Sequence, residues 1–199
     1  MKKEAVTRYP INPLSKARWS PRAFAQTLPG TDTLLSLFEA ARWAPSAMNE
    51  QPWRFIIGIK PAPGWHLIFD TLMAPNQIWA KEAPVLMVVC SKNHFGNDGT
   101  LNLTAAYDTG QAVAHLSIEA MNQSLYVHQM GGFFPEKAIT LLEIPEGFQP
   151  LVVIAIGYYG DPESLPEPYK QREFAPRTRK EPGEIVYDSK FGQPFIQLP

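Results

Sequence analysis

Cysteine occurs once in this chain, at Cys90, so no intrachain disulfide can staple it. Cys90 closes the apolar run Pro84-Val85-Leu86-Met87-Val88-Val89 and reads as a core thiol rather than a reactive one. No apolar stretch approaches the ~20 residues that a bilayer-spanning helix needs. Neither sign of charge is in excess: 18 Lys and Arg face 19 Asp and Glu, a formal net charge of −1. That balance argues against nucleic acid or an anionic membrane as the main partner. The first residues include Lys2, Lys3, Glu4 and Arg8, with no hydrophobic stretch before Pro10. A cleavable signal is therefore not expected, and a cytoplasmic location is. Hydrolytic and dinucleotide signatures are missing as well. There is no G-x-S-x-G elbow, H-E-x-x-H pair, G-x-G-x-x-G turn or Walker loop. The four histidines, His66, His94, His115 and His128, are scattered and read as structural or solvent-facing, with no metal cluster.

What is present suits one packed domain. Hydrophobic residues make up 45% of 199, enough for a core without a staple. No internal repeat or second domain is visible. A short helical piece is expected around Pro21 to Gln26. Thr31 or Asp32 caps a helix running to about Ala44, with Leu34, Leu35, Phe38 and Ala41 on its core face. Pro45 to Pro52 is a loop. Trp53 to Lys60 is a strand, Trp65 to Ala74 a helix, and Pro84 to Cys90 a second, central strand. Thr104 to Gln129 predicts the longest helix, with a stripe of mostly small residues: Ala106, Gly110, Val113, Ser117, Ala120, Ser124 and Val127. Pro135 starts a short helix to Leu142, and Leu151 to Tyr159 is a third strand. From about residue 161 to 199 the chain is proline-rich and predicts an extended arm, with a short strand near Ile185 to Tyr187. Such an arm must lie on the body or on a partner.

Two features carry candidate chemistry. In Arg18-Trp19-Ser20-Pro21-Arg22, two guanidiniums four residues apart share a helical-turn face with a hydroxyl. That set grips a phosphate dianion with charge-assisted bonds, or it is a solvated basic turn. A second basic cluster, Arg177, Arg179 and Lys180, is able to serve the same phosphate. The loop Ala44-Pro45-Ser46-Ala47-Met48-Asn49-Glu50-Gln51-Pro52-Trp53 places a hydroxyl and two amides between a helix and a strand, and its prolines stiffen it. Amides there read the donor–acceptor edge of a flavin ring, or the loop is a polar turn.

Taken in order, Arg18-x-Ser20-x-Arg22 and the Ala44 to Trp53 loop resemble the signature of the FMN-dependent nitroreductase family. Tyr107-Asp108-x-Gly110, Met130-Gly131-Gly132-Phe133, the strand from Val152 to Gly157 and Arg177-x-Arg179 also match it. The resemblance spans almost the whole chain. It implies an α+β nitroreductase-like fold, a central antiparallel sheet flanked by helices, with the C-terminal arm exchanged across a homodimer. It further implies two FMN molecules in the dimer interface, each touched by both subunits. Arg18, Trp19, Ser20 and Arg22 would lie against phosphate and ribityl from one subunit, with Arg177 and Arg179 closing on the phosphate. Pro45, Ser46, Ala47 and Asn49 would approach from the other. Asn76, Gly131 and Gly132 would lie near the flavin ring. The chain departs from the family where Ala47 replaces a frequent second serine and Gly131 a frequent glutamate.

The implied activity is transfer of hydride from NAD(P)H through flavin N5 to an electron-poor acceptor such as a nitroaromatic or quinone. The resemblance requires no protein acid or base. Three alternatives stay open on sequence: the same fold with different flavin chemistry, a flavin carrier without turnover, and an α/β domain without cofactor.

Overall fold

A computed structural model describes residues 3–195. Its centre is a four-stranded sheet in the order β1-β2-β4-β3, antiparallel throughout. The strands are β1 (Trp53–Ile59), β2 (Val85–Lys92), β3 (Tyr126–Met130) and β4 (Phe148–Gly157). Because side chains alternate across a pleated strand, β2 feeds two cores. Val85, Met87 and Val89 pack with α2 (Thr31–Arg42) and α5 (Ala105–Asn122) on one face. Leu86, Val88 and Cys90 pack on the other face with α3 (Pro63–Asp70), α4 (Ala74–Ala80) and α6 (Pro135–Leu141). The expected α+β architecture of a central antiparallel sheet between helices is what the chain adopts. Among the described residues no helix is long and apolar enough to cross a membrane.

Several boundaries differ from the sequence reading. The first helix is α1 (Pro13–Ala17), capped by the Asn12 side chain, not a piece at Pro21 to Gln26. Residues 23–25 instead lie along the end of β4: Ala25 N–H donates to Tyr158 and Gly160 N–H to Ala23. A Cβ at Gly160 would stand 2.5 Å from the Phe24 carbonyl carbon, so only glycine permits that approach. Helix α2 starts after Gly30, and Leu37 rather than Leu35 joins its buried face.

The predicted Thr104 to Gln129 helix stops at Asn122. Leu125 N–H donates to Ala120 O and Ser124 N–H to Met121 O, with Ser124 at φ 59°. This is a Schellman close, which usually takes glycine at that position. With serine there, the sequence carries no glycine stop, and the helical pattern it predicts runs on through β3. Only part of the small-residue stripe is buried, since Ala106 and Gly110 are exposed.

Strand β4 begins before Leu151. It tolerates Pro150 because the ladder with β2 shifts register there, opposite Cys90. The arm also divides differently. Residues 162–174 hold a 3₁₀ turn and α7 (Tyr169–Phe174), and α7 buries Tyr169 and Glu173 against the body. From Ala175 to Phe195 no residue is buried. Ile185 to Tyr187 is not a strand; Tyr187 makes one isolated bridge to Pro194. The end of the expected arm, 196–199, lies outside the described residues.

Candidate functional site

Arg18 is the C-cap of α1, and its backbone N–H donates to Leu14 O. The chain then turns at Pro21, so Arg18, Ser20 and Arg22 reach one cleft above the buried Trp19 ring. Arg177 and Arg179 come to the same cleft from the C-terminal segment. Two groups separated by more than 150 residues thus form one site, which is the placement two basic clusters need to share one phosphate. Lys3 and Arg172 also line it, so six cationic side chains surround a cavity of about 190 Å³. Lys180 lines an adjacent cavity instead, with Arg8 and Tyr9.

The cleft is built from inside. Arg177 Nη1 donates to Lys3 O at 2.9 Å and Lys16 O at 3.0 Å, clamping the N-terminal segment onto α1. Trp19 packs edge-on against Tyr159 and Tyr126, with Lys3 Nζ 4.7 Å from a Trp19 ring centroid. His128 on β3 bonds through Nδ1 to Pro21 O at 2.8 Å, which ties the turn to the sheet.

Among the described residues the ion pairs are Lys16–Glu4, Arg42–Glu39, Lys92–Glu50 and Lys170–Glu163. None involves a cation of the cleft. Burial, and then the Arg179 charge, lowers the pKa of Arg18. Burial likewise lowers Arg177, with Arg18 and Arg179 adding to it. Burial also lowers Arg22 and Lys3, opposed in each by Glu173. Half-buried cations crowding one another in this way are relieved by a bound anion.

The second group sits on the loop after α2. Met48, Asn49 and Gln51 hold φ of 53°, 54° and 51°, three non-glycine residues in the left-handed region within four positions. Such backbone costs on the order of 1 kcal/mol or more per residue and persists where the surroundings impose it. Here Ser46 Oγ accepts Gln51 N–H at 3.0 Å, and the Ala47 N–H donates to Asp108 Oδ2 at 3.0 Å. Asp108 is buried in the first turn of α5, where the helix dipole favours a carboxylate. Pro45, Met48 and Asn49 remain exposed. Ser46 and the Ala47 N–H therefore shape the loop, while the Asn49 side chain is presented outward.

Asn76, Gly131 and Gly132 form a third group. Asn76 Nδ2 donates to Gly132 O at 2.9 Å, and a Cβ on Gly132 would stand 2.7 Å from that nitrogen. The bond spends one donor of the Asn76 amide and leaves its oxygen uncommitted. The residues lining the arginine cleft include neither the loop nor this pair.

Sequence reasoning missed Lys3, Arg172, Glu173, His128 and the role of Asp108. Lys3 and Arg172 were legible only as charges. Nothing in Lys170-Gln171-Arg172-Glu173 marks Glu173 as the buried member. His128 burial followed from β3, which was read as helix. Cys90 is buried as expected, and burial pushes its thiol up to about 11.

The Nitroreductase family model matches residues 16–63, which contain the first arginine pair and the strained loop. A solved structure described as an oxidoreductase containing FMN is 37% identical, with a TM-score of 0.90 over 94% of this chain and 96% of its own. A putative NADH dehydrogenase/NAD(P)H nitroreductase of Methanothermobacter thermautotrophicus is 27% identical over 169 residues, 77% of this chain and 79% of that protein. A nitroreductase family protein of Clostridium difficile 630, at 24% identity, shares the fold with a TM-score of 0.70 over 89% of this chain and 97% of its own.

Proposed function

The chain belongs to the nitroreductase family, and on that premise we propose that it is an FMN-dependent oxidoreductase. It takes electrons from NAD(P)H and passes them to an electron-poor acceptor such as a nitroaromatic or a quinone. The observation that carries this reading is the arginine cleft: six cations, none paired with a carboxylate, around about 190 Å³. A cavity of that size suits a phosphate group, whereas whole drug-sized ligands occupy roughly 300–1,000 Å³. An anion with one terminal phosphate and a large neutral remainder matches FMN, and no dinucleotide fingerprint argues for FAD.

When bound, FMN supplies hydride acceptance and donation at N5. The protein's share is binding and orientation. Arg18, Ser20, Arg22, Arg177 and Arg179 hold the phosphate, with Trp19 as the floor. Asn76, Gly131 and Gly132 lie by the ring, and Gly132 permits the close approach of the Asn76 amide. Pro45, Ser46, Ala47 and Asn49 come from a second subunit, so residues 1–199 form one FMN-binding domain that works as a homodimer. Trp43, Met48, Leu103 and Tyr107 are each more than 70% exposed. Each lies within five residues of Ala47 or Asp108 in the chain, and a second subunit seated on this loop would cover them.

Anaerobic stopped-flow on FMN-loaded protein tests the activity. Bound flavin should bleach with NADH or NADPH and recover its colour on adding a nitroaromatic or a quinone. Failure of both nicotinamides to bleach it would leave a flavin carrier instead.

A further inference from the structure

We propose that Glu173 is the positioning residue of the arginine cleft, an internal anion that holds the cations in place before a phosphate arrives. It is fully buried on α7. Both carboxylate oxygens accept the Arg22 N–H at 3.0 Å, and Oε1 also accepts the Ala23 N–H at 3.2 Å. The Glu173 carbonyl accepts Lys3 Nζ at 2.6 Å. One residue therefore joins the three chain segments that build the cleft: the N-terminal strap, the Arg18 to Arg22 turn and the C-terminal segment.

Two physical consequences follow. Successive backbone N–H groups of a turn form a natural anion nest. Here those of Arg22 and Ala23 are already spent on Glu173, so an incoming phosphate meets guanidinium side chains. Glu173 is also the counter-charge that opposes the effect of burial on both Arg22 and Lys3. A buried carboxylate held this way is costly to leave half-satisfied, which locks the turn in one arrangement.

The two roles of that charge predict opposite signs. If Glu173 were merely a nearby negative charge, neutralising it would tighten binding of an anion. If it positions the turn, neutralising it loosens phosphate binding even though the cleft becomes more positive. The inference rests on the reading of the cleft as the FMN phosphate site, so the test compares FMN with riboflavin, which lacks the phosphate.

Flavin fluorescence titrations of full-length, flavin-stripped protein are run on wild type and Glu173→Gln. Wild type should prefer FMN over riboflavin. In Glu173→Gln that preference should fall by about tenfold or more, the scale of a lost charged hydrogen bond, with riboflavin affinity unchanged. A preference that stays the same or rises overturns the proposal, as does an equal loss for both flavins, which marks general structural support. A wild type without any preference overturns the phosphate-site reading itself and this inference with it. Should Glu173→Gln not fold, Glu173→Asp keeps the charge but retracts it by one methylene and should give a smaller fall in the same ratio. Failure of both variants to fold marks a purely structural role and overturns the proposal.

Discussion

Arg22 serves the site twice, through a backbone N–H turned inward to Glu173 and a side chain that lines the cleft. Truncation to alanine removes only the second. Arg22→Ala should weaken FMN binding by about 1.5–3 kcal/mol, the worth of a charged hydrogen bond. Arg179→Ala should act in the same direction, and unchanged dissociation constants for both would misplace the phosphate. His128 supports the same turn from the sheet side. Burial pushes its pKa down to about 4, although its bond to the Pro21 carbonyl works the other way. A folded value below the ordinary 6.5 means that protonation favours the unfolded chain. The full stability is therefore present above pH 6.5 and is lost as pH falls from there through about 4, by up to roughly 3 kcal/mol. Melting temperatures of wild type and His128→Gln between pH 7.5 and 4.5 check this: the wild type should lose more across that window, because glutamine keeps a donor for Pro21 without titrating.

At the scale of elements, the loop after α2 is held against its own backbone preferences. Three left-handed non-glycine residues are tied down by the Ser46–Gln51 and Ala47–Asp108 bonds. Met48 gains least, being 84% exposed with a long side chain. Met48→Gly should raise stability by about 0.5–1 kcal/mol, since glycine adopts φ near 53° without a Cβ penalty. Denaturant titration measures it; a loss of stability would mean that Met48 packs against a second subunit strongly enough to outweigh the strain. Asp108→Ala should act oppositely, freeing the Ala47 N–H and loosening the loop.

For the whole molecule the question is whether flavin binding and association are one event. Because α7 packs on the body and carries Glu173, a cut at Glu163 would damage the fold itself. A cut after Ala175 removes the exposed segment with Arg177 and Arg179 and leaves α7 in place. On the proposed homodimer, that truncation should lower dimer stability and FMN occupancy together, because a ligand of an assembled interface stabilises the assembly. Sedimentation velocity with a flavin absorbance trace follows both at once. A truncated monomer holding stoichiometric FMN at wild-type affinity would refute a shared site.

The sequence by itself determined the elements whose signals are local. Strand β2 was legible from its continuous apolar run, β1 from its place between Pro52 and Pro61-Ala62-Pro63-Gly64, α6 from the proline that starts it, and the loop from Pro45 and Pro52. Both arginine groups were legible as types and spacings suited to an anion. What tertiary structure alone decided was everything that depends on neighbours distant in the chain. Ser124 closes α5 in a conformation that glycine usually takes, and β4 then recruits the following residues as β3, which carries His128 to Pro21. Glu173 reads as one charge among several in a polar stretch. It becomes the buried centre of the cleft only because α7 folds back on the Arg22 turn, where the Arg22 and Ala23 N–H groups offset the cost of burying its carboxylate.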